Sequence, residues 1–113
     1  MRERKDFTIC ELEGVQANPP ERASKLGIAL GTLGKEPING LRLRPKNGTN
    51  GWYLWCGTEM PTENDAFSPL HVEHLENYLP QVKKYLELPP GYRFLIDENN
   101  YEDLWFDEVL MLA

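Results

Sequence analysis

The chain has 113 residues, of which 27% are charged and 41% hydrophobic, and it carries a net charge of −6. Such a length buries roughly two thirds of the unfolded surface in one core without disulfide or metal staples, and the composition excludes a disordered chain. No apolar run approaches the roughly 20 residues of a bilayer crossing, and the start of the chain leads into no signal-peptide core. A cytoplasmic protein with a single domain over residues 1–113 is therefore expected, its first six residues flexible.

Phe7–Glu13 is β-rich at its start and predicts a first strand ending at Gly14. Asn18-Pro19-Pro20 breaks the chain, and Glu21–Leu26 predicts a short helix that Gly27 stops. Ile28–Leu30 predicts a short strand, followed by a turn-rich stretch over residues 31–40 that holds Gly31, Gly34, Pro37 and Gly40. That stretch is either an ordered binding loop or a plain surface connection.

Leu41–Arg44 alternates strictly, Lys46–Gly51 holds two Asn-Gly turn signals, and Trp52–Cys56 is an aromatic run, which together predict a β-hairpin. Alternation sets Trp52, Leu54 and Cys56 on one face and Tyr53 and Trp55 on the other, where Arg42 and Arg44 would stack on aromatic rings. After a polar loop over residues 57–65, Ser68 predicts an N-cap with Pro69 at the first helical position. Val72, Leu75, Leu79, Val82 and Leu86 recur at helical spacing, and Pro80 divides them into two short helices or one kinked helix over residues 69–87. Tyr92–Ile96 predicts a strand, Asp97–Asn100 a turn and Tyr101–Glu108 the antiparallel partner, with an apolar tail from Val109 to Leu112. The fold class expected is α+β: an antiparallel sheet with a central hairpin and the helices packed on one face.

No reaction is named by these residues. Cys10 and Cys56 are too far apart in sequence for a zinc half-site and form no disulfide framework, so both are expected reduced. His71 and His74 stand three apart on a predicted helix, near enough for a shared metal with Glu73 or Glu76, but they lack the spacing and intervening Glu of the HExxH motif. Cys56 with either histidine would form a thiol–imidazole pair, supported by residue type alone. Surface or core-edge histidines are the competing account, and no cofactor is expected.

Charge is unevenly spread: residues 1–46 carry nine basic and six acidic side chains, residues 47–113 three and twelve. Three cations are too few to follow a phosphate backbone, which argues against nucleic acid and for a basic protein partner. Residues 97–108 hold six carboxylates and no Lys or Arg. If residues 101–108 are a strand, Leu104 and Phe106 share one side while Tyr101, Asp103, Trp105 and Asp107 share the other. An aromatic anchor ringed by steering charges is the composition of a binding surface, so the candidate partner-binding residues are Tyr101, Glu102, Asp103, Trp105, Asp107 and Glu108. An ordinary acidic edge with Trp105 buried is the alternative.

Gly51–Glu59 (GWYLWCGTE), the proline-interrupted helical stretch, Leu88–Leu95 (LPPGYRFL) and the Ala23-Ser24-Lys25 opening resemble the immunity protein 33-like domains of bacterial polymorphic toxin systems. The similarity covers residues 24–108. It implies a non-enzymatic antitoxin role, the binding of a cognate toxin, with no catalytic residues to carry over. Two other classes stay open: a small metal-dependent or thiol enzyme using Cys56, His71 and His74, and a structural subunit whose tail completes an oligomer of unstated size.

Overall fold

The computed structural model describes residues 6–46 and 48–112, so most of the expected flexible start lies outside the described residues. Six strands form one sheet: β1 (Lys25–Ile28), β2 (Ile38–Arg42), β3 (Thr49–Cys56), β4 (Ser68–His71), β5 (Tyr92–Ile96) and β6 (Glu102–Phe106). Their spatial order is β4-β1-β3-β2-β5-β6, which places the expected β2–β3 hairpin at the centre of an α+β fold. One pair, β1 with β3, is parallel and the rest are antiparallel, so the sheet is mixed.

The hairpin forms because its alternation and its turn agree. Arg42 lies opposite Trp52 and Ile38 opposite Cys56, and Lys46 and Thr49 exchange backbone hydrogen bonds of 3.1 and 3.3 Å around Gly48. The turn falls at Gly48, whereas Asn50 and Gly51 lie within β3. Trp52, Leu54 and Cys56 share the main core with Leu26, Ile28, Phe94 and Ile96, covered by Leu75, Leu79, Val82, Tyr85, Leu86 and Leu88. A smaller cluster on the opposite face joins Ala29, Leu41, Trp55 and Leu110.

Five expectations over the first 71 residues are corrected. Ile28–Leu30 is not one strand, since Ile28 ends β1 and Leu30 opens a 3₁₀ turn (Leu30–Thr32), and the turn-rich stretch over residues 31–40 ends early, with Ile38, Asn39 and Gly40 lying in β2. Phe7–Glu13 is not a strand: Ile9–Glu13 is a helix, α1, started by a capping box in which Thr8 and Glu11 each accept from the other's backbone N–H, and ended by Gly14 at φ 71°. Satisfying those free N–H groups outweighs the β preference of Phe7, Thr8 and Ile9. Glu21–Leu26 is not a helix either, because Leu26 is drawn into β1, where it lies opposite Leu70 and is fully buried. Ser68 and Pro69 open a strand rather than a helix. Val72 donates to the Ser24 carbonyl at 2.9 Å, which fixes the pairing so that Leu26–Leu70 is a hydrogen-bonded pair and the nitrogen of Pro69, which has no hydrogen to donate, faces out of the sheet.

Two helical segments follow as expected, but both are 3₁₀: Val72–Asn77 and Pro80–Tyr85. Leu79 between them is extended (φ −137°, ψ 68°), away from the α region that its following proline disfavours. The apolar tail also turns as a 3₁₀ helix, Glu108–Leu112, which buries Leu110 and leaves Val109 and Leu112 exposed.

Arg42 is the main surprise of the hairpin. Lying opposite Trp52, it faces the main core at 3% exposure instead of stacking outside on Tyr53 or Trp55. Its guanidinium donates to the carbonyls of Asn50, Asn18, Leu86 and Leu88 and sits 5.8 Å from the Trp52 ring centroid. Its acceptors are all backbone carbonyls, and burial pulls its pKa down from the usual arginine value. Segments remote in sequence therefore converge on one side chain.

Candidate functional site

The acidic strand β6 stands at one end of the sheet. Its register follows from the preceding turn, where an Asp97 carboxylate oxygen accepts from the N–H of Asn99 (2.8 Å) and Tyr101 (3.1 Å) and Asn100 takes φ 65°. Beyond the turn, Leu95 opposes Asp103, Phe94 opposes Leu104, Arg93 opposes Trp105 and Tyr92 opposes Phe106. The alternation expected of β6 is thus the observed one, with Asp103 and Trp105 on one side and Leu104 and Phe106 on the other.

Trp105 is half-buried, and what covers it is a cation: the Arg93 guanidinium lies 5.5 Å from its ring centroid. The same guanidinium donates to an Asp107 carboxylate oxygen at 3.1 Å. The other Asp107 oxygen accepts from the Val109 N–H at 3.2 Å, which starts the C-terminal 3₁₀ helix. Asp107 therefore has structural partners on both sides. Asp103 and Glu108 are exposed, and Tyr101 is 52% exposed at the start of the strand.

Glu102 is set apart from the other five candidates. It faces the helical side and accepts a hydrogen bond from the buried Tyr85 hydroxyl. Burial, the hydrogen bond to Glu102 and the charge of that carboxylate push the Tyr85 phenol well above its ordinary range, in that order of size. Beside them Glu36, Asp97, Glu98 and Tyr101 line a recess of about 350 Å³. Sequence reasoning missed Arg93 as a member of the site. The signal lies in the turn: closing Asp97–Asn100 as a hairpin puts residue 93 across from residue 105.

The residues of the enzymatic alternative are not brought together. His71 opposes Lys25, which is level with Thr49, and Cys56 lies seven residues farther along β3, on the order of 20 Å away. His71 and His74 do meet, with ring centroids 6.0 Å apart. Among the described residues no group of three or more His, Cys, Asp or Glu is placed to hold a metal ion. Both thiols are buried: burial, then Glu87 and Glu13, push Cys10 up to about 11, while burial and Glu36 raise Cys56. Neither is a thiolate at neutral pH, so a thiol reagent at pH 8 is expected to leave both unmodified in the folded protein and to modify both in denaturant. Rapid native modification of Cys56 would contradict its burial.

An edge strand that presents carboxylates beside an arginine-covered tryptophan thus completes a small α+β domain. The chain belongs to the Imm33-like domain family, whose model matches residues 5–107 and so takes in α1 as well as β6. Neither a curated protein nor a solved structure matches it. Among the described residues no helix is long and apolar enough to cross a membrane.

Proposed function

We propose that this protein is a non-enzymatic, cytoplasmic immunity protein that neutralises a cognate basic toxin through the β6 surface, using Tyr101, Glu102, Asp103, Trp105, Asp107 and Glu108. Membership of an immunity-type family supports the class. The observation that carries the choice of surface is Trp105, half-buried under Arg93 and flanked by exposed carboxylates. A ring already held by a neighbour loses little side-chain freedom on binding, and the surrounding negative charge raises the encounter rate with a basic partner.

The class is tested by asking whether the adjacent gene encodes a toxin domain and co-expressing the two: rescue from killing is expected, and either no such gene or continued killing would remove the immunity reading. For the surface, Trp105→Ala combined with Asp103→Lys and Glu108→Lys is expected to weaken toxin capture at least about 100-fold while leaving the unfolding transition within about 1 kcal/mol. Asp107 is spared because its reversal would also break the Arg93 pair and the cap on Val109. Unchanged capture by the triple variant would place the interface elsewhere.

One observation favours a second reading. Val109 and Leu112 are 65% and 85% exposed, which fits a tail that completes an oligomer. Light scattering that gives only monomer would exclude it.

A further inference from the structure

The two ends of the sheet differ in their backbone. Flanking the β5–β6 ladder, Asp97 donates to the Tyr101 carbonyl (3.2 Å) and Asp107 donates to the Gly91 carbonyl (2.8 Å), so 97–101 and 91–107 are hydrogen-bonded pairs. Alternation makes 95–103 and 93–105 the intervening bonded pairs. The N–H and C=O groups of Glu102, Leu104 and Phe106 therefore point away from β5, and among the described residues no strand lies beyond β6. At the other end, β4, the outward positions are Pro69 and His71, and Pro69 offers no N–H. One edge is blunted; the other is open.

We infer that the open edge of β6 takes an extended segment of the protein partner as a seventh strand, and that this segment alternates basic and apolar residues. The inference rests on the reading of β6 as the partner surface and adds how that surface is engaged. Cross-strand neighbours on the added segment would face Asp103 and Trp105 on one side and, on the other, Leu104 and Phe106 beyond a Glu102 already engaged by the Tyr85 hydroxyl. The first side takes cations. The second takes apolar groups, since Phe106 is 52% exposed and packs edge-on against Tyr92 at 5.5 Å. Main-chain hydrogen bonds to the outward groups supply affinity that does not depend on the partner's side chains, while the alternation supplies selection.

A second copy of this chain is a poor occupant. Pairing β6 with a second β6 would crowd the carboxylates of both copies, Glu102, Asp103 and the flanking Asp107 and Glu108, along one seam that brings no lysine and a single Arg93 from each copy, and such like-charge crowding is destabilising. The carboxylates that repel self are those that attract a basic strand.

The probe is an acetylated, amidated heptapeptide of alternating lysine and valine, titrated against the whole protein with amide exchange read residue by residue. At saturation, exchange at Glu102, Leu104 and Phe106 is expected to slow by about tenfold or more, with Leu70 and His71 of β4 unchanged. The same peptide N-methylated on the backbone nitrogen of every residue keeps its charges but loses the main-chain N–H groups that would pair with the strand, and is expected to bind at least about tenfold more weakly. Leu104→Pro removes an outward N–H that serves no ladder bond and is expected to abolish the protection; should it unfold, the N-methylated peptide carries the same test on the native protein. Binding of both peptides alike, or binding that leaves the three amides exchanging freely, would overturn strand addition while leaving the immunity reading to the co-expression result. Protection of the three amides together with failure to rescue would keep strand addition and remove immunity.

Discussion

Replacing Arg42 by alanine is expected to lower the unfolding free energy by about 4 kcal/mol, a large share of the roughly 5–15 kcal/mol a domain of this size holds. The side chain is 3% exposed and binds four backbone carbonyls, of Asn50 (3.2 Å), Leu86 (3.3 Å), Leu88 (2.8 Å) and Asn18. Hydrogen bonds from a charged donor contribute about 1.5–3 kcal/mol each, and each buried carbonyl left without a donor costs about 1–3 kcal/mol, though such figures do not add within one network. The desolvation of an arginine that bonds to carbonyls rather than to a carboxylate among the described residues offsets part of the sum. Arg42→Lys keeps the charge but loses the planar fork, so about half of the loss is expected to remain. Urea unfolding of the three proteins measures both; a loss below about 1 kcal/mol for alanine would mean that water replaces the guanidinium.

Gly51→Ala is expected to cost at least about 3 kcal/mol, and for a reason that relaxation cannot remove. A Cβ at this position would stand 1.9 Å from the Leu43 carbonyl oxygen, and the backbone is held at φ 96°. Leu43 also donates to the Gly51 carbonyl at 2.9 Å, so the strands cannot part there without loss of a ladder bond. Gly48 provides the control, since it has φ 81° and a methyl carbon added there would meet nothing within 4 Å. Gly48→Ala is expected to cost only about 1 kcal/mol, the left-handed conformation alone. Equal losses in the two variants would show that conformation, not the close approach, governs Gly51.

How much of this fold is legible in the sequence depends on how far apart the paired residues lie. The central hairpin and the β5–β6 pair carry alternation and turn residues within a single window, which fixes them down to the faces of Trp52, Leu54, Asp103 and Trp105. β1 and β4 carry almost no such signal. Lys25–Ile28 is short, and its partners Thr49–Leu54 and Ser68–His71 are joined to it by no tight turn. Ser68-Pro69 matches a helix start by type, but a proline that needs no ladder partner fits the rim of a sheet equally well. In α1 two local signals compete: the spacing of Thr8 and Glu11 is that of a capping box, while the β-branched residues beside it suggest a strand. The burial of Arg42 is the hardest feature to foresee. Its carbonyl acceptors come from segments that sequence periodicity does not connect, and a charge in an alternating strand ordinarily faces water. The candidate site is legible on β6 itself and not beyond it, because Arg93 joins Trp105 only through the register that the turn imposes.

Pro69 has a consequence for assembly at high concentration. A sheet that accepts a neighbour along one rim but not the other has a valence of one: it can end another sheet, yet it cannot stand in the middle of a growing stack. Edge-to-edge filaments therefore stop at a single addition, and a sheet whose β6 rim is open is kept from polymerising by a proline on its opposite rim.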